Sequence, residues 1–304
     1  MKDLRVVFMG TPEFAVPSLQ IMVENQVSVV GVITAPDKPQ GRGKKLGQSA
    51  VKEYALSADL KILQPEKLKN EDFLNELKSL QADLQVVVAF RMLPEVVWNM
   101  PPLGTFNLHA SLLPQYRGAA PINWAIINGE KETGVTTFFL KHQIDTGDII
   151  FQEKEPINYT DNVGDLYRRL MDKGAHLVLK TVKAIASDGY EERPQQASSE
   201  LRPAPKIFRD TCEINWNRTG NEIYNFVRGL SPYPAAWTRL DGKVLKVYKA
   251  TVEEYDHAEA GAVRSDNKTY LKFGCADGWV HLLEIQLEGK KRMNVEDFLK
   301  GYKL

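Results

Sequence analysis

Short aliphatic runs alternate with helical windows through the first two thirds of the chain. Residues 5–10 (RVVFMG) form an apolar run that ends in Gly10. Pro17 then opens a segment in which Val16, Leu19, Ile21 and Val23 fall at helical spacing. The unit this predicts is strand, turn, helix. Further strand-like runs cover 27–34, 61–64, 84–89 and 105–108, separated by helical windows such as 49–57 and 70–80. Alternation of this kind predicts a mostly parallel sheet with crossover helices, an α/β doubly wound domain. Strand-like runs at 134–140 and 149–155 extend it, and 163–187 has the pattern of one long amphipathic helix.

After that helix the pattern breaks. Residues 190–206 are rich in Gln, Ser and charge, and Pro194, Pro203 and Pro205 interrupt any periodicity, which marks an exposed connector. The expected division is a first domain at 1–189, a linker at 190–206 and a second domain at 207–304. In the second domain 221–230 has helical spacing. Short runs at 236–240, 244–252, 269–273 and 279–287 alternate with Gly and Asp turns, which predicts a small β-barrel.

Composition narrows the function classes. A chain of 304 residues is long enough for two domains, each with its own core. Lys plus Arg and Asp plus Glu both number 39, so no net charge draws the chain to nucleic acid or an anionic membrane, and a nucleic-acid partner must be held by local patches. Cys212 and Cys275 lack CxxC spacing, which argues against zinc ribbons and redox motifs and fits a reducing cytosol. No stretch approaches a membrane span and the N-terminus has no signal-peptide pattern, so a cytoplasmic location is expected.

Parallel α/β sheets bind ligands beyond the carboxyl ends of their strands. Residues 106–114 (FNLHASLLP) put the amide of Asn107 and the imidazole of His109 two residues apart at such an end, on one side of the strand. Residues 144–147 (IDTG) hold the carboxylate of Asp145 in a glycine turn. Amide, imidazole and carboxylate together have the groups to stabilise an oxyanion and relay a proton, as acyl transfer to an amine requires. Taken singly, an Asn or His at a strand end is more often a cap, and Asp-Thr-Gly an ordinary turn. Residue types alone therefore leave both readings open.

Longer motifs favour the catalytic one. Residues 109–114 (HASLLP), 116–122 (YRGAAPI), 134–136 (GVT) and 145–148 (DTGD) resemble the 10-formyltetrahydrofolate-dependent formyltransferases. The flanks at 8–17 (FMGTPEFAVP) and 41–46 (GRGKKL) are similar to the branch of that family that formylates methionyl-tRNA, as are 214–216 (INW) and 232–237 (PYPAAW). The resemblance implies transfer of the formyl group of 10-formyltetrahydrofolate to the α-amino group of methionine on initiator methionyl-tRNA, for translation initiation. It also implies a Rossmann-like catalytic domain, an OB-like tRNA-binding domain, a monomer, and no metal. By resemblance Asn107 and His109 share the oxyanion charge, while Asp145 orients His109 and moves the proton. Ser111, Leu112, Leu113 and Pro114 line the folate pocket, with the two leucines near the pterin. Arg42, Lys44 and Lys45 contact the acceptor stem.

The family pattern is not copied throughout. Residues 89–94 (AFRMLP) replace a longer Ala-Tyr-Gly-type run, and Lys141 stands where an acid is common. Phe14 and Phe90 are expected in the core. Lysines 243, 246 and 249 and the cluster 290–292 are further candidates for RNA backbone contact. A dinucleotide dehydrogenase is disfavoured, since Gly10-Thr11-Pro12-Glu13 lacks GxGxxG and Pro12 sits where pyrophosphate needs a glycine. A non-catalytic tRNA- or folate-binding protein and a formyltransferase acting on an amino sugar nucleotide are the competing readings.

Overall fold

A computed structural model describes residues 4–40, 45–196, 200–254 and 258–304. The chain forms two compact units. One comprises Met1–Arg117, Gly134–Glu155 and Arg168–Arg202, and the other Gly118–Thr133, Pro156–Tyr167 and Pro203–Leu304.

In order along the chain, the elements through the long helix are β1 (Arg5–Gly10), α1 (Val16–Glu24), β2 (Ser28–Ile33), β3 (Lys38–Gln40), β4 (Lys45–Gly47), α2 (Ala50–Ser57), β5 (Ile62–Leu63), α3 (Glu71–Ser79), β6 (Leu84–Val88), α4 (Glu95–Trp98), β7 (Thr105–His109), α5 (Pro121–Ile127), β8 (Glu132–Phe139), β9 (Ile149–Pro156) and α6 (Val163–Ala186). The first unit carries a seven-stranded sheet in the order β5-β2-β1-β6-β7-β8-β9. β5, β2, β1, β6 and β7 are mutually parallel, and β8 runs antiparallel to β7. The chain works outward from β1 to β5, then returns to β6 beside β1. That reversal opens a crevice at the carboxyl ends of β1, β6 and β7, where ligands bind in such folds.

β6 is buried along its whole length, as expected of a strand covered on both faces, and its one polar side chain, Gln85, accepts from the Thr105 hydroxyl at 3.0 Å. Val7, Met9, Ile33, Leu77, Val87 and Val97 form the core on one face, with Phe90 packed at its edge. Phe14 is buried as well. On the other face Leu108 meets α6 at Gly174, and the Thr137 and Thr181 hydroxyls bond at 2.9 Å. The helix starts follow local signals: Ser49 caps α2 by accepting from the Lys52 N–H, and Asn70 caps α3 by accepting from the Phe73 N–H.

The second unit adds α7 (Gly220–Leu230), β10 (Ala236–Leu240), β11 (Lys243–Glu254), β12 (Val263–Ser265), β13 (Leu271–Cys275), β14 (Gly278–Leu287), β15 (Met293–Asn294) and α8 (Val295–Lys300). Its antiparallel sheet has the order β10-β11-β14-β13-β12, with β15 on β14, and forms a half-barrel. Two register shifts between Val247 and Ala250 bend β11, as bulges do. Ile223, Val227 and Leu230 of α7 pack with Trp237, Val247, Phe273, Leu282 and Phe298 into one core. Thr219 and Glu222 close a capping box at the start of α7.

The strand expected at 269–273 begins later, at Leu271. The Asp266 carboxylate accepts from the Thr269 hydroxyl at 2.6 Å and from the N–H groups of Thr269, Lys268 and Tyr270, which turns the backbone there and holds that carboxyl well below its usual range. The connector is mostly exposed and is hydrogen-bonded in places. Arg193 exchanges two backbone hydrogen bonds with Ile149, and the Tyr116 N–H donates to the Arg202 carbonyl at 2.7 Å. Near its end, the Ala119 and Ala120 N–H groups donate to the Ala204 carbonyl, and the Trp124 indole N–H to that of Pro205. Residues 118–133 and 156–167 join the second unit for a similar reason. The Asn123 amide donates to the Gly229 carbonyl at 2.8 Å, and the buried Arg228 donates to the carbonyls of Asn158 and Asp161.

Glu253 on β11 accepts from the His281 imidazole and from Lys272 Nζ at 2.8 Å; these bonds, that of His281 first, lower its carboxyl to about 2. A depressed carboxylate contributes stability above its unfolded pKa, here near 4.5, and loses it as pH falls toward 2. With 43% of the side chain exposed, water screens the effect and keeps it small. Thermal melts of Glu253→Gln and the parent chain are expected to differ most above pH 5 and to converge by pH 2. A constant difference across that range counts against the pairing.

Among the described residues, no helix is long and apolar enough to cross a membrane.

Candidate active site

β7 is pinned on both sides, with Asn107 opposite Val87 of β6 and Phe138 of β8. Strand alternation then sends Asn107 and His109 to one face and Leu108 to the other. Among the described residues the half-buried Asn107 amide has no hydrogen-bond partner. A preorganised donor of this kind can meet charge that develops on a substrate.

His109 is buried, at 6% exposure. Its Nε2 lies 2.8 Å from the Tyr116 carbonyl oxygen. A carbonyl only accepts, so Nε2 carries the hydrogen of that bond and Nδ1 is the free position of the ring. Nδ1 faces the Asp145 carboxylate, with Oδ2 at 3.9 Å. That distance is too long for a hydrogen bond, and both side chains are little exposed.

Asp145 sits in a loop with left-handed backbone, at φ +54°. The next turn residue, Gly147, passes so close to β8 that a Cβ there would lie 1.5 Å from the Phe139 carbonyl oxygen. The Phe139 N–H donates to the Asp148 carbonyl, and Lys141 pairs with the Asp148 carboxylate at 2.7 Å. Lys141, the departure from the family pattern, thus braces the Asp145 loop.

The segment after β7 is held from inside. Thr136 Oγ1 donates to the Ser111 carbonyl at 2.6 Å and accepts from the Leu113 N–H and the Gln152 amide. The Ser111 hydroxyl donates to the Gln115 carbonyl at 2.6 Å, and the Leu113–Pro114 bond is cis. Ser111 and Leu113 are buried within the protein, whereas Leu112 and Pro114 are half-buried. Thr136→Val is expected to leave two buried backbone groups unpaired, at about 1–3 kcal/mol each. Urea unfolding is expected to register a loss of about 2–3 kcal/mol after relaxation. A loss below about 0.5 kcal/mol would mean that water replaces the hydroxyl.

The structure thus brings Asn107, His109 and Asp145 to one place. Arg42 and Lys44 lie outside the described residues, and only the backbone of Lys45, in β4, is described. In the 290–292 cluster Arg292 is already held by Glu284 in a two-point pair at 2.6 and 2.7 Å. Sequence reasoning missed the anchoring roles of Thr136, Arg117 and Tyr116, although each stands inside a quoted motif. It also missed Gln152 and Gln195, which no motif marked.

Known proteins resemble this chain along its whole length. A formyl transferase model matches residues 4–182, and a formyl transferase C-terminal domain model matches 206–303. The chain is 59% identical to the methionyl-tRNA formyltransferase of Parabacteroides distasonis, over 99% of this chain and 97% of that protein. It is 61% identical to that of Phocaeicola vulgatus over the same shares. Among solved structures the fold is similar to WlaRD, a sugar 3N-formyl transferase crystallised with dTDP and 5-N-formyl-THF, at TM-score 0.68 and 22% identity over 96% of this chain and all of that one. It is also similar to HypX from Aquifex aeolicus in complex with tetrahydrofolic acid, at TM-score 0.66 and 19% identity over 99% of this chain and 48% of that one. Both domain models and the full-length relatives agree: this chain belongs to the formyl transferase family, among the methionyl-tRNA formyltransferases.

Proposed function

We propose that this chain transfers the formyl group of 10-formyltetrahydrofolate to the α-amino group of methionine on initiator methionyl-tRNA, giving N-formylmethionyl-tRNA for translation initiation. The observation that carries this reading is the unpartnered Asn107 amide beside a His109 imidazole whose free nitrogen faces Asp145. The names of the full-length relatives support the acceptor. The folate derivatives in the WlaRD and HypX structures support the donor.

The chemistry follows from the residues. The amine forms a C–N bond with the formyl carbon, and the carbonyl π pair moves onto oxygen. The Asn107 N–H groups donate to that oxyanion, and the His109 ring, protonated or hydrogen-bonded, shares its charge. Asp145 accepts the proton that the attacking amine sheds and returns it to N10 as the C–N10 bond breaks. An α-amino group with a pKa of roughly 7.7–8 supplies enough neutral amine at cytosolic pH. No step calls for a metal. Leu112 and Pro114 offer the pterin an apolar edge, while Ser111 and Leu113 shape the segment from within. Arg42, Lys44 and Lys45 are proposed to contact the acceptor stem. The enzyme is proposed to act in the cytoplasm as a monomer.

The test mixes purified protein with 10-formyltetrahydrofolate and methionyl-tRNA charged on initiator or elongator tRNA, then measures N-formylmethionine after ester hydrolysis. Formylation confined to the initiator is the expected result. Transfer to water or to an amino sugar nucleotide instead would overturn the acceptor.

A further inference from the structure

The catalytic carboxylate is carried on a loop whose backbone needs external support. A non-glycine residue at φ +54° costs about 1 kcal/mol or more and persists only where its surroundings hold it. One side chain fifty residues away in sequence bonds that loop at two points. The Gln195 amide donates one hydrogen to the Asp145 carbonyl at 2.9 Å and the other to the Gly147 carbonyl at 2.8 Å. Its oxygen accepts from Arg117 Nε at 3.1 Å and from Arg117 Nη2 at 2.6 Å. Both donors are used and the acceptor is held at two points, so the amide has one orientation. Reversing it would set oxygen against two carbonyls and NH2 against a guanidinium.

Arg117 follows Tyr116, whose carbonyl holds the His109 ring at Nε2. The Arg117–Gln195 bridge therefore joins the segment that fixes the imidazole to the loop that carries the carboxylate. The 3.9 Å between His109 Nδ1 and Asp145 Oδ2 spans the gap between them. Gln195 is itself anchored on both sides. Arg193 pairs with Ile149 through bonds of 2.8 and 2.9 Å. The Gln115 side chain donates to the Glu200 carbonyl and accepts from the Arg202 N–H, both at 2.9 Å. Residues 200 and 202 are thus tied to the same 115–117 segment, and Arg193 to β9.

We propose that Gln195, held by Arg117, is a positioning residue for formyl transfer that sets the Asp145 carboxylate against His109. This rests on the reading of Asp145 as the proton-transferring group. The step being positioned is proton removal from the attacking amine, and a displacement of about 1 Å is enough to slow such a step by about a hundredfold. Substrate contacts are untouched, since Gln195 spends all its bonds inside the protein.

The test compares Gln195→Ala, Gln195→Glu and Asp145→Asn with the parent enzyme, using 10-formyltetrahydrofolate and methionyl initiator tRNA. Rates are expressed per folded molecule from circular dichroism. Gln195→Glu keeps the length and the acceptor for Arg117 but turns a carboxylate oxygen toward two carbonyls. The expected result for both Gln195 variants is a kcat lowered by about ten- to a hundredfold, with KM for each substrate within about twofold. If either keeps the parent kcat per folded molecule, however much its melting temperature drops, the role is structural and the proposal is overturned. If Asp145→Asn itself turns over at the parent rate, the proton-transfer reading falls and takes the proposal with it. An inactive Asp145→Asn beside a fully active Gln195→Ala sinks the positioning role alone.

Discussion

Replacing Asp145 by Ala or Asn107 by Ala is expected to abolish formyl transfer while leaving affinity for methionyl-tRNA within about twofold. A positioned proton-transfer group contributes about 10²–10⁴ in rate and a single oxyanion donor about 10²–10³. Each loss falls on kcat, because both groups engage charge that exists only once the amine attacks. The geometry separates the two roles. Asn107 makes no bond within the described protein that its removal would break, so its loss should cost little stability. Asp145 faces His109 at 3.9 Å, so its removal leaves the ring held by Tyr116 alone. Single-turnover formylation and filter binding of the tRNA, run on the same preparations, read the two quantities independently. Full turnover in Asp145→Ala would refute the assignment.

Gly147→Ala is expected to be nearly as damaging, although position 147 touches no substrate. The added methyl would lie 1.5 Å from the Phe139 carbonyl oxygen and 2.7 Å from its carbon, both backbone atoms of β8. Neither can yield as a flexible side chain does, so the loop must leave the strand. Leaving breaks the bond from the Phe139 N–H to the Asp148 carbonyl and draws the Gly147 carbonyl from Gln195. Overpacking of this severity costs about 1–3 kcal/mol or more. It also carries Asp145 away from His109, so kcat should fall about a hundredfold or further. Gly301→Ala is the control, since a methyl there meets nothing within 4 Å. Melting temperature and kcat unchanged in Gly147→Ala would show that the loop has room which the structure denies it.

Much of the first domain was visible in local pattern because its causes are local. Parallel strands buried on both faces are nearly continuous in apolar residues, which is why 5–10 and 84–88 stood out. Caps such as Ser49 and Asn70 satisfy N–H groups three residues on, within any sequence window. The short elements did not show. β3, β4 and β12 are three residues each, too brief to build a period, and α5 begins at a proline in a glycine-rich motif.

The sequence by itself determined the order and type of the long elements, the placing of Asn107 and His109 on one strand face, and, through motif resemblance, the family. The parity of a strand and the caps of a helix act within a few residues, so the chain states them directly. Tertiary structure alone decided the 3.9 Å between Asp145 and His109, that a connector glutamine holds the Asp145 loop, and that 118–133 and 156–167 pack with the second unit. Those outcomes depend on hydrogen bonds between groups far apart along the chain and on one left-handed backbone residue, and neither leaves a periodic trace in sequence.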